Sequence, residues 1–294
     1  MIDTHAHLHF PDFAGDRPGV LTRAFALGIT GIVEVATGPA GWPEVLALAH
    51  ADPRIHASLG LHPHEARLLR REVLDELDRR LTDERVVAVG ETGLDRVRGC
   101  APLEDQRRAF IGQIGLARDR CLPLVIHCRE AFPELFSILD REGRGVRGVF
   151  HCFSGGVEEA RGVTGRGFRV GLGGAVTYAP ERWRPVLGAL PREAIMLETD
   201  APYLRPDPER RRRNEPACLF TTADFVARLL EMGPAQLEAL ADQNARDLFG
   251  IGPAREGRRE REERGAPAWG GGDQAPSSRD GRTRGGTSPE ERGA

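Results

Sequence analysis

Histidines and acidic residues that could bind metal ions stand at the ends of predicted β-strands. They are His5, His7, Glu91, His127, His151 and Asp200. His5 and His7 end the first predicted strand two positions apart, so the alternation of a strand points both side chains to one face. Four imidazoles and two carboxylates suit zinc, manganese or cobalt better than an isolated magnesium ion, which prefers oxygen ligands. The pattern therefore predicts a site for one or two divalent ions.

Such a site could activate water for hydrolysis. Divalent ions attract an anionic substrate, polarise a phosphoryl or carbonyl oxygen and lower the pKa of a bound water. Glu91 is expected to bridge two ions because its strand lies between those of the other ligands, and Asp200 could also accept the proton of the nucleophile. A single histidine or aspartate at a strand end is usually a rim or capping residue. The shared strand-end placement of all these residues favours the metal site.

The elements that must position these residues alternate between strand and helix. Short apolar or β-branched segments are separated by segments of helical period, a pattern that predicts a parallel sheet and a single (β/α)8 TIM barrel. The predicted strands cover residues 1–7, 31–36, 55–60, 86–90, 124–127, 148–151, 168–171 and 195–198. Predicted helices include residues 67–81, 104–120, 222–231 and 234–248. The carboxyl ends of barrel strands meet at one rim, so the ligands should gather there.

The composition changes near residue 252. Residues 253–294 are rich in arginine, glutamate and glycine and contain little to bury, so they are predicted to be a disordered tail. Residues 1–252 match the length of about 250 residues that is typical of a β/α barrel. The sequence therefore predicts one domain, residues 1–252, followed by the tail.

The composition also excludes several classes of protein. All 41 basic side chains are arginines, and the absence of lysine excludes Schiff-base chemistry, pyridoxal phosphate attachment, lysine-dependent phosphate loops and metal sites bridged by a modified lysine. The net charge of −3 gives no global attraction to duplex DNA, so any contact with nucleic acid must be local. Five cysteines without paired spacing predict reduced thiols, and no apolar run is long enough to cross a bilayer. These features predict a cytoplasmic protein with no membrane contact.

Several motifs in order along the chain resemble those of the TatD family of metal-dependent deoxyribonucleases, which are amidohydrolase-like barrel hydrolases. The motifs are DTHAH (3–7), GLHP (60–63), GETGLD (90–95), VIHCR (125–129), HCFSG (151–155), ETDAPYL (198–204) and RNEP (213–216). The resemblance extends from residue 1 to about residue 250. It implies two divalent ions, one held by His5, His7 and Asp200 and the other by His127 and His151, with Glu91 shared.

The resemblance also implies a catalytic set, namely Asp200, Glu91, His62 and Arg129. His62 and Arg129 correspond to positions near the substrate phosphate in the family, and Arg129 could bind phosphate oxygens in a fork, although an ion pair at the rim is an equal alternative. His9 and His64 are weaker candidates. Cys128 and Cys152 are expected to be small core residues in the layer between barrel and helices.

Two surface features are open to more than one interpretation. Tyr203 could stack on a base, or it could pack as an ordinary loop residue. The arginine run at 210–213 could follow a nucleic-acid backbone, or it could be a solvated charge run. The chain departs from the family at Arg96, Val97 and Arg98, where the family commonly has aromatic residues. The preferred base therefore stays open.

Together these features predict a metal-dependent hydrolase that cleaves phosphodiester bonds in DNA through a metal-activated water. The resemblance favours a 3′–5′ exonuclease on single-stranded ends, with zinc, manganese, cobalt or magnesium as the ions and with no obligate protein partner. One alternative is a metal-dependent ester or amide hydrolase, such as a D-aminoacyl-tRNA deacylase, since the same nucleophile could attack an ester. A second alternative is a non-catalytic metal-containing protein that binds nucleic acid, although closed structural zinc sites are typically rich in cysteine.

Overall fold

The protein folds into a TIM barrel, as the sequence predicts. The structure is a computed structural model that describes residues 1–208 and 211–252, so the predicted tail and part of the arginine run lie outside the described residues. Eight parallel strands within this described part pair in sequence order from β1 to β8. The strands are β1 (Ile2–Ala6), β2 (Gly31–Val35), β3 (Ile55–Leu59), β4 (Val86–Asp95), β5 (Leu124–Arg129), β6 (Gly148–Phe150), β7 (Arg169–Leu172) and β8 (Ile195–Leu197).

Helices surround the barrel. They are α1 (Arg17–Ala26), α2 (Trp42–Ala51), α3 (Arg71–Arg80), α4 (Leu103–Asp119), α5 (Phe132–Glu142), α6 (Val157–Gly165), α7 (Pro180–Ala189), α8 (Leu219–Leu229) and α9 (Pro234–Phe249). Short 3-10 helices cover Pro11–Phe13, Pro63–Leu68, Gly174–Tyr178, Arg192–Ala194 and Pro216–Cys218. Helices α1, α2, α5, α7 and α9 carry proline in the first turn, where its missing N–H costs nothing. None of the helices described is long and apolar enough to cross a membrane.

The predicted helix at residues 67–81 is wrong at its amino-terminal end. The structure has a 3-10 helix at Pro63–Leu68 and begins α3 only at Arg71, after Arg70 has adopted an extended conformation. Leu68 and Leu69, which suggested a longer helical stripe, pack instead in a small separate apolar cluster. Their burial there, rather than a helical period, explains why these positions are apolar.

Strand β4 is longer than predicted and places Glu91 inside the strand rather than after it. The strand extends to Asp95, and its pairing with β5 is irregular between Val89 and Thr92. Gly93 has φ of +137°, and a Cβ atom there would lie 2.0 Å from the carbonyl oxygen of His127. Glycine is therefore required for β4 and β5 to approach so closely at the level of the candidate site.

The barrel closes where β1 meets the segment after β8. The backbone N–H of His7 donates to the Ala201 carbonyl at 2.8 Å, and the N–H of Asp200 donates to the His5 carbonyl at 2.9 Å. The buried carboxylate of Asp3 accepts hydrogen bonds from the backbone and the hydroxyl of Thr199 at 2.9 and 2.6 Å. These bonds bring the two ends of the strand series together at the carboxyl rim.

The core has two main parts. The larger part fills the layer between the strands and the surrounding helices. The smaller part lies within the barrel and includes Val33, Val87 and Val125, which pack with Leu248 and Phe249 of α9. In a β/α barrel the functional site lies at the carboxyl ends of the strands.

Candidate metal centre

The predicted ligands come together at the carboxyl ends of the strands. His5, His7, Glu91, His151 and Asp200 are buried, and His127 is partly buried. All of these except His5 line a cavity of about 690 Å³ that opens at the rim. Three groups have donor atoms within 4.8 Å of one another, namely His5, His7 and Asp200; His62, Glu91 and His127; and His5, His151 and Glu198.

The two carboxylate oxygens of Glu91 face two different sets of histidines. Oε2 lies 3.5 Å from Nε2 of His5 and 3.6 Å from Nε2 of His7. Oε1 lies 2.9 Å from Nδ1 of His127 and 2.7 Å from Nε2 of His151. Glu91 therefore stands between two sets of donor atoms, as a bridging carboxylate would.

Asp200 completes the set on the Oε2 side of Glu91. Its Oδ1 lies 3.7 Å from Nε2 of His5 and 3.5 Å from Nε2 of His7. Asp200 has a positive φ of 56°, which the bond from its N–H to the His5 carbonyl helps to hold. Burial would raise the pKa of its carboxyl, but the hydrogen bond with His7 and the charges of the neighbouring histidines lower it. Asp200 is therefore a carboxylate at neutral pH.

The ring orientations fit metal ions. Nδ1 of His7 is bonded to the Val35 carbonyl at 2.7 Å, so it must carry the proton and Nε2 must present its lone pair to the site. Nε2 of His5 and Nε2 of His7 lie only 3.1 Å apart. In His127 the roles are reversed, because Nε2 lies 3.1 Å from Oδ2 of Asp95 and Nδ1 faces Glu91. Lone pairs and carboxylate oxygens converge, and this donor set is one that divalent ions accept.

The electrostatics of the cluster favour cations. Burial would raise the pKa of Glu91, but the charges of His151 and His62 and hydrogen bonds from His127 and His151 lower it well below its usual value. Burial would lower the pKa of His151, but Glu91 and Glu198 raise it well above its usual value. Without ions, protons on the histidines balance the buried carboxylates. A divalent ion would replace those protons.

His62 lies beside the Oε1 side of Glu91. Its Nε2 is 3.3 Å from Oε1 of Glu91 and 3.3 Å from Nδ1 of His127, and its Nδ1 accepts the backbone N–H of His64. Burial lowers the pKa of His62 to about 4. The ring is therefore neutral at pH 7 and presents Nε2 to the cavity.

Arg129 and Tyr203 lie at the opening of the cavity. Arg129 is exposed, lines the cavity and has no ion pair with any residue that the structure describes. Tyr203 is 50 % exposed, with its ring centroid 6.3 Å from that of Phe10. Arg98 also lines the cavity, in the segment where the resemblance led us to expect an aromatic residue. The opening therefore combines cationic and aromatic side chains.

Arg213, in the described part of the arginine run, contacts other residues of the protein. The Arg213 guanidinium pairs with Asp16 at 2.6 Å and lies 4.6 Å from the centroid of the Phe13 ring. These contacts join the loop after β8 to the segment before α1. For Arg213 they favour a structural role.

Sequence reasoning missed two carboxylates beside the predicted ligands, although both lie in motifs that resemble the family. Asp95 contacts His127 and also lies 2.9 Å, through Oδ2, from Nε2 of His64. Burial would raise the pKa of Asp95, but these bonds and two backbone N–H groups lower it. Glu198 is fully buried, with Oε1 3.7 Å from Nδ1 of His151. In the sequence, Asp95 stands four positions after Glu91 and Glu198 stands two positions before Asp200. These spacings were the only signal.

The expected placement of Cys152 is wrong. It lines the cavity, has a positive φ of 44° and donates its backbone N–H to Glu198. The residue leaves the strand conformation because β6 ends at Phe150, so strand alternation does not apply to it. Cys128 is buried in the larger core cluster, as expected, but it also lines the cavity.

Comparisons with known proteins show similarity to metal-dependent hydrolases. A family model described as TatD related DNase matches residues 2–250. An uncharacterized metal-dependent hydrolase named TatD from Mycobacterium tuberculosis is 37 % identical over 263 residues, covering 86 % of this chain and 98 % of the relative. The 3′-5′ ssDNA/RNA exonuclease TatD of Escherichia fergusonii is 34 % identical over 260 residues, covering 85 % of this chain and 99 % of the relative. The crystal structure of YjjV, a TatD homologue from Escherichia coli, superposes with a TM-score of 0.81 at 31 % identity, covering 86 % and 98 % of the two chains.

Proposed function

We propose, because this chain belongs to the TatD-related DNase family of metal-dependent hydrolases, that it removes nucleotides from the 3′ ends of single-stranded DNA. The observation that carries the proposal is the placement of Glu91, with one oxygen towards His5 and His7 and the other towards His127 and His151. Two cations held side by side suit the displacement of a phosphodiester oxygen. Relatives named as 3′-5′ ssDNA/RNA exonucleases support the substrate and the polarity.

We assign one ion to His5, His7 and Asp200 and the other to His127 and His151, with Glu91 shared. When bound, such ions polarise the phosphoryl oxygens and lower the pKa of water. Zinc, manganese, cobalt and magnesium are the candidates, and the histidine-rich donor set favours the first three.

Side chains of the protein bind the substrate and accept the proton of the attacking water. The ionised carboxylate of Asp200 can accept a proton from the attacking water. The guanidinium of Arg129 binds the phosphate, since it is exposed at the cavity without an ion pair among the described residues. The neutral ring of His62 offers Nε2 as a hydrogen-bonding group on the same side of the cavity.

The cavity suits an unpaired end of a strand. Tyr203 and Phe10 present aromatic rings beside His7, whose ring centroid lies 6.5 Å from that of Tyr203. A base stacked on this wall would place its phosphate near the ligands, and stacking is tolerant of sequence. In a duplex the base would first have to unpair. This is the reason to expect single-stranded ends as substrate.

The test is a panel of metals against substrates. Zinc, manganese, cobalt and magnesium are each added to metal-free protein with 3′- or 5′-labelled single-stranded DNA, duplex DNA, RNA and aminoacyl-tRNA. We expect mononucleotides released from the 3′ end of single-stranded DNA. Release of amino acid without nucleotides would instead identify an aminoacyl-ester hydrolase, and binding of DNA in EDTA without products on adding metal would identify a binding protein.

His127→Ala provides the matched variant. It removes a ring from the Oε1 side of Glu91 and should reduce turnover by orders of magnitude while the circular dichroism spectrum is unchanged. Undiminished activity in this variant would contradict the assignment. The cytoplasmic location, and the absence of an obligate protein partner, stay predictions of the sequence.

A further inference from the structure

A buried carboxylate that no arginine of the described residues pairs with lies beside the proposed ligands. Glu198 follows β8 and is fully buried, and its backbone N–H donates to the Leu172 carbonyl at 3.2 Å. Its Oε1 accepts the backbone N–H of Cys152, whereas Oε2 has no hydrogen-bond partner among the described residues. Burying a carboxylate is costly unless donors surround it. Glu198 therefore needs further donors nearby.

Two imidazole rings supply such donors. The rings of His5 and His151 stack with centroids 3.9 Å apart and an interplanar angle of 12°. Nε2 of each ring faces Glu91, at 3.5 Å for His5 and 2.7 Å for His151. Nδ1 of each ring is buried and has no hydrogen-bond partner in the part of the chain that is described. A neutral ring that presents the lone pair of Nε2 to an ion must carry its proton on Nδ1.

Glu198 lies close to both rings. Donor atoms of His5, His151 and Glu198 lie within 4.8 Å of one another, and Nδ1 of His151 is 3.7 Å from Oε1 of Glu198. The neighbouring strand leaves room for the carboxylate, because a Cβ atom at Gly171 would come within 2.3 Å of Oε2. Glycine at this position is thus explained by the carboxylate that lies against it.

We propose that Glu198 is a positioning residue shared by the two ion sites, which accepts the Nδ1 proton of His5 from one site and that of His151 from the other. This role rests on the proposed function, in which these two histidines hold different ions. It differs from the role of Asp95, which contacts His127 alone among the assigned ligands. Loss of Glu198 should therefore weaken both ions together, whereas loss of Asp95 should weaken one.

The experiment measures zinc binding to metal-free wild type, Glu198→Gln, Asp95→Asn and Glu34→Gln by equilibrium dialysis. Glu34 is a matched control, because it is also a fully buried glutamate that contacts a histidine. That histidine is His9, at 2.6 Å, which is not among the assigned ligands. We expect two zinc ions in the wild type and in Glu34→Gln with equal affinities. In Glu198→Gln both affinities should fall by about 10- to 100-fold, the usual effect of losing a carboxylate that orients a ligand histidine. In Asp95→Asn one affinity should fall and the other should keep its wild-type value.

A second readout needs no variant. In zinc-loaded wild type, the 15N imidazole spectrum should show His5 and His151 protonated on Nδ1 and His127 protonated on Nε2. A proton on Nε2 of His5 or His151 would overturn the proposal, and so would wild-type affinity for either ion in a folded Glu198→Gln. A third zinc ion bound through His5, His151 and Glu198 would overturn it as well. Fewer than two zinc ions in the wild type would defeat the two-ion premise itself, a failure visible without any substitution.

Discussion

Asp95 holds His127 by the ring nitrogen opposite the one that faces Glu91. Oδ2 of Asp95 lies 3.1 Å from Nε2 of His127, and Nδ1 of the same ring lies 2.9 Å from Oε1 of Glu91. The other oxygen of Asp95 accepts the backbone N–H groups of Val97 and Arg98 at 2.8 and 3.0 Å. Asp95 therefore contacts both a proposed ligand histidine and the start of the following loop.

Asp95→Asn should lower kcat/KM by about 10- to 100-fold, the range seen when the orienting partner of a ligand histidine is lost. The amide can keep the two backbone hydrogen bonds, but its NH2 group would oppose a proton on Nε2 of His127. The proton would move to Nδ1, where it blocks the lone pair that faces Glu91. Steady-state kinetics with labelled single-stranded DNA measures the effect. Kinetics equal to those of the wild type would show that Asp95 serves only the loop.

Arg129→Ala should raise the KM for DNA and lower kcat/KM by about 10- to 100-fold, because a hydrogen bond to a charged group contributes about 1.5 to 3 kcal/mol. The dependence of log KM on log salt concentration should also decrease by about one unit of slope, since one phosphate contact is lost. Arg96→Ala is the control, because Arg96 is exposed at the start of the neighbouring loop after β4 and is not among the residues that line the cavity. Equal effects of the two substitutions would mean that only overall charge matters.

His62 should make the metal-free protein less stable in acid. Burial lowers its pKa to about 4, below the value of 6.5 in an unfolded chain. Between these pH values the unfolded chain binds a proton that the folded ring does not. The contribution of His62 to the free energy of unfolding is therefore fully present above pH 6.5 and is lost as the pH falls towards 4. The decline amounts to about 3 kcal/mol over this window. Urea unfolding in EDTA at several pH values should show this loss of unfolding free energy in the wild type and not in His62→Gln. The same dependence of unfolding free energy on pH in both proteins would contradict the lowered pKa of His62.

Gly93→Ala should destabilise the protein by about 3 kcal/mol or more and should reduce zinc affinity, because its Cβ would meet the His127 carbonyl and push β4 from β5. Gly99→Ala is the matched control. Gly99 also has a positive φ, +62°, but a Cβ atom there meets nothing within 4 Å. It should cost about 1 to 2 kcal/mol from backbone strain alone and leave zinc affinity unchanged. Denaturant unfolding and dialysis distinguish the two, and equal losses would exclude the clash.

The alternation of elements and the strand-end histidines allowed the barrel and the gathering of His5, His127 and Asp200 to be predicted from the sequence. In a barrel every strand end points to the same rim, so position along the chain translates directly into position in space. The register of β4 could not be predicted in this way. Its extension to Asp95 depends on how Gly93 packs against β5, which is a contact between distant segments.

The carboxylates that orient the ligands were harder to identify for a related reason. An aspartate after a strand commonly caps a turn, and Asp95 does so as well as contacting His127. Glu198 was visible only as part of a motif, because a sequence does not show which ring a buried carboxylate lies beside. The break before α3 shows the same limit, since Leu68 and Leu69 are apolar through contacts outside any helical stripe.

The closure of β1 against the segment after β8 has a consequence for the timing of activity. The donor atoms on the Oε2 side of Glu91 come from the first seven residues and from Asp200. During synthesis, a chain that has not yet emerged from the ribosome as far as residue 200 cannot assemble this half of the centre. This metal-dependent hydrolase therefore gains half of its proposed centre only late in translation, and we expect chains that stop before residue 200 to be inactive.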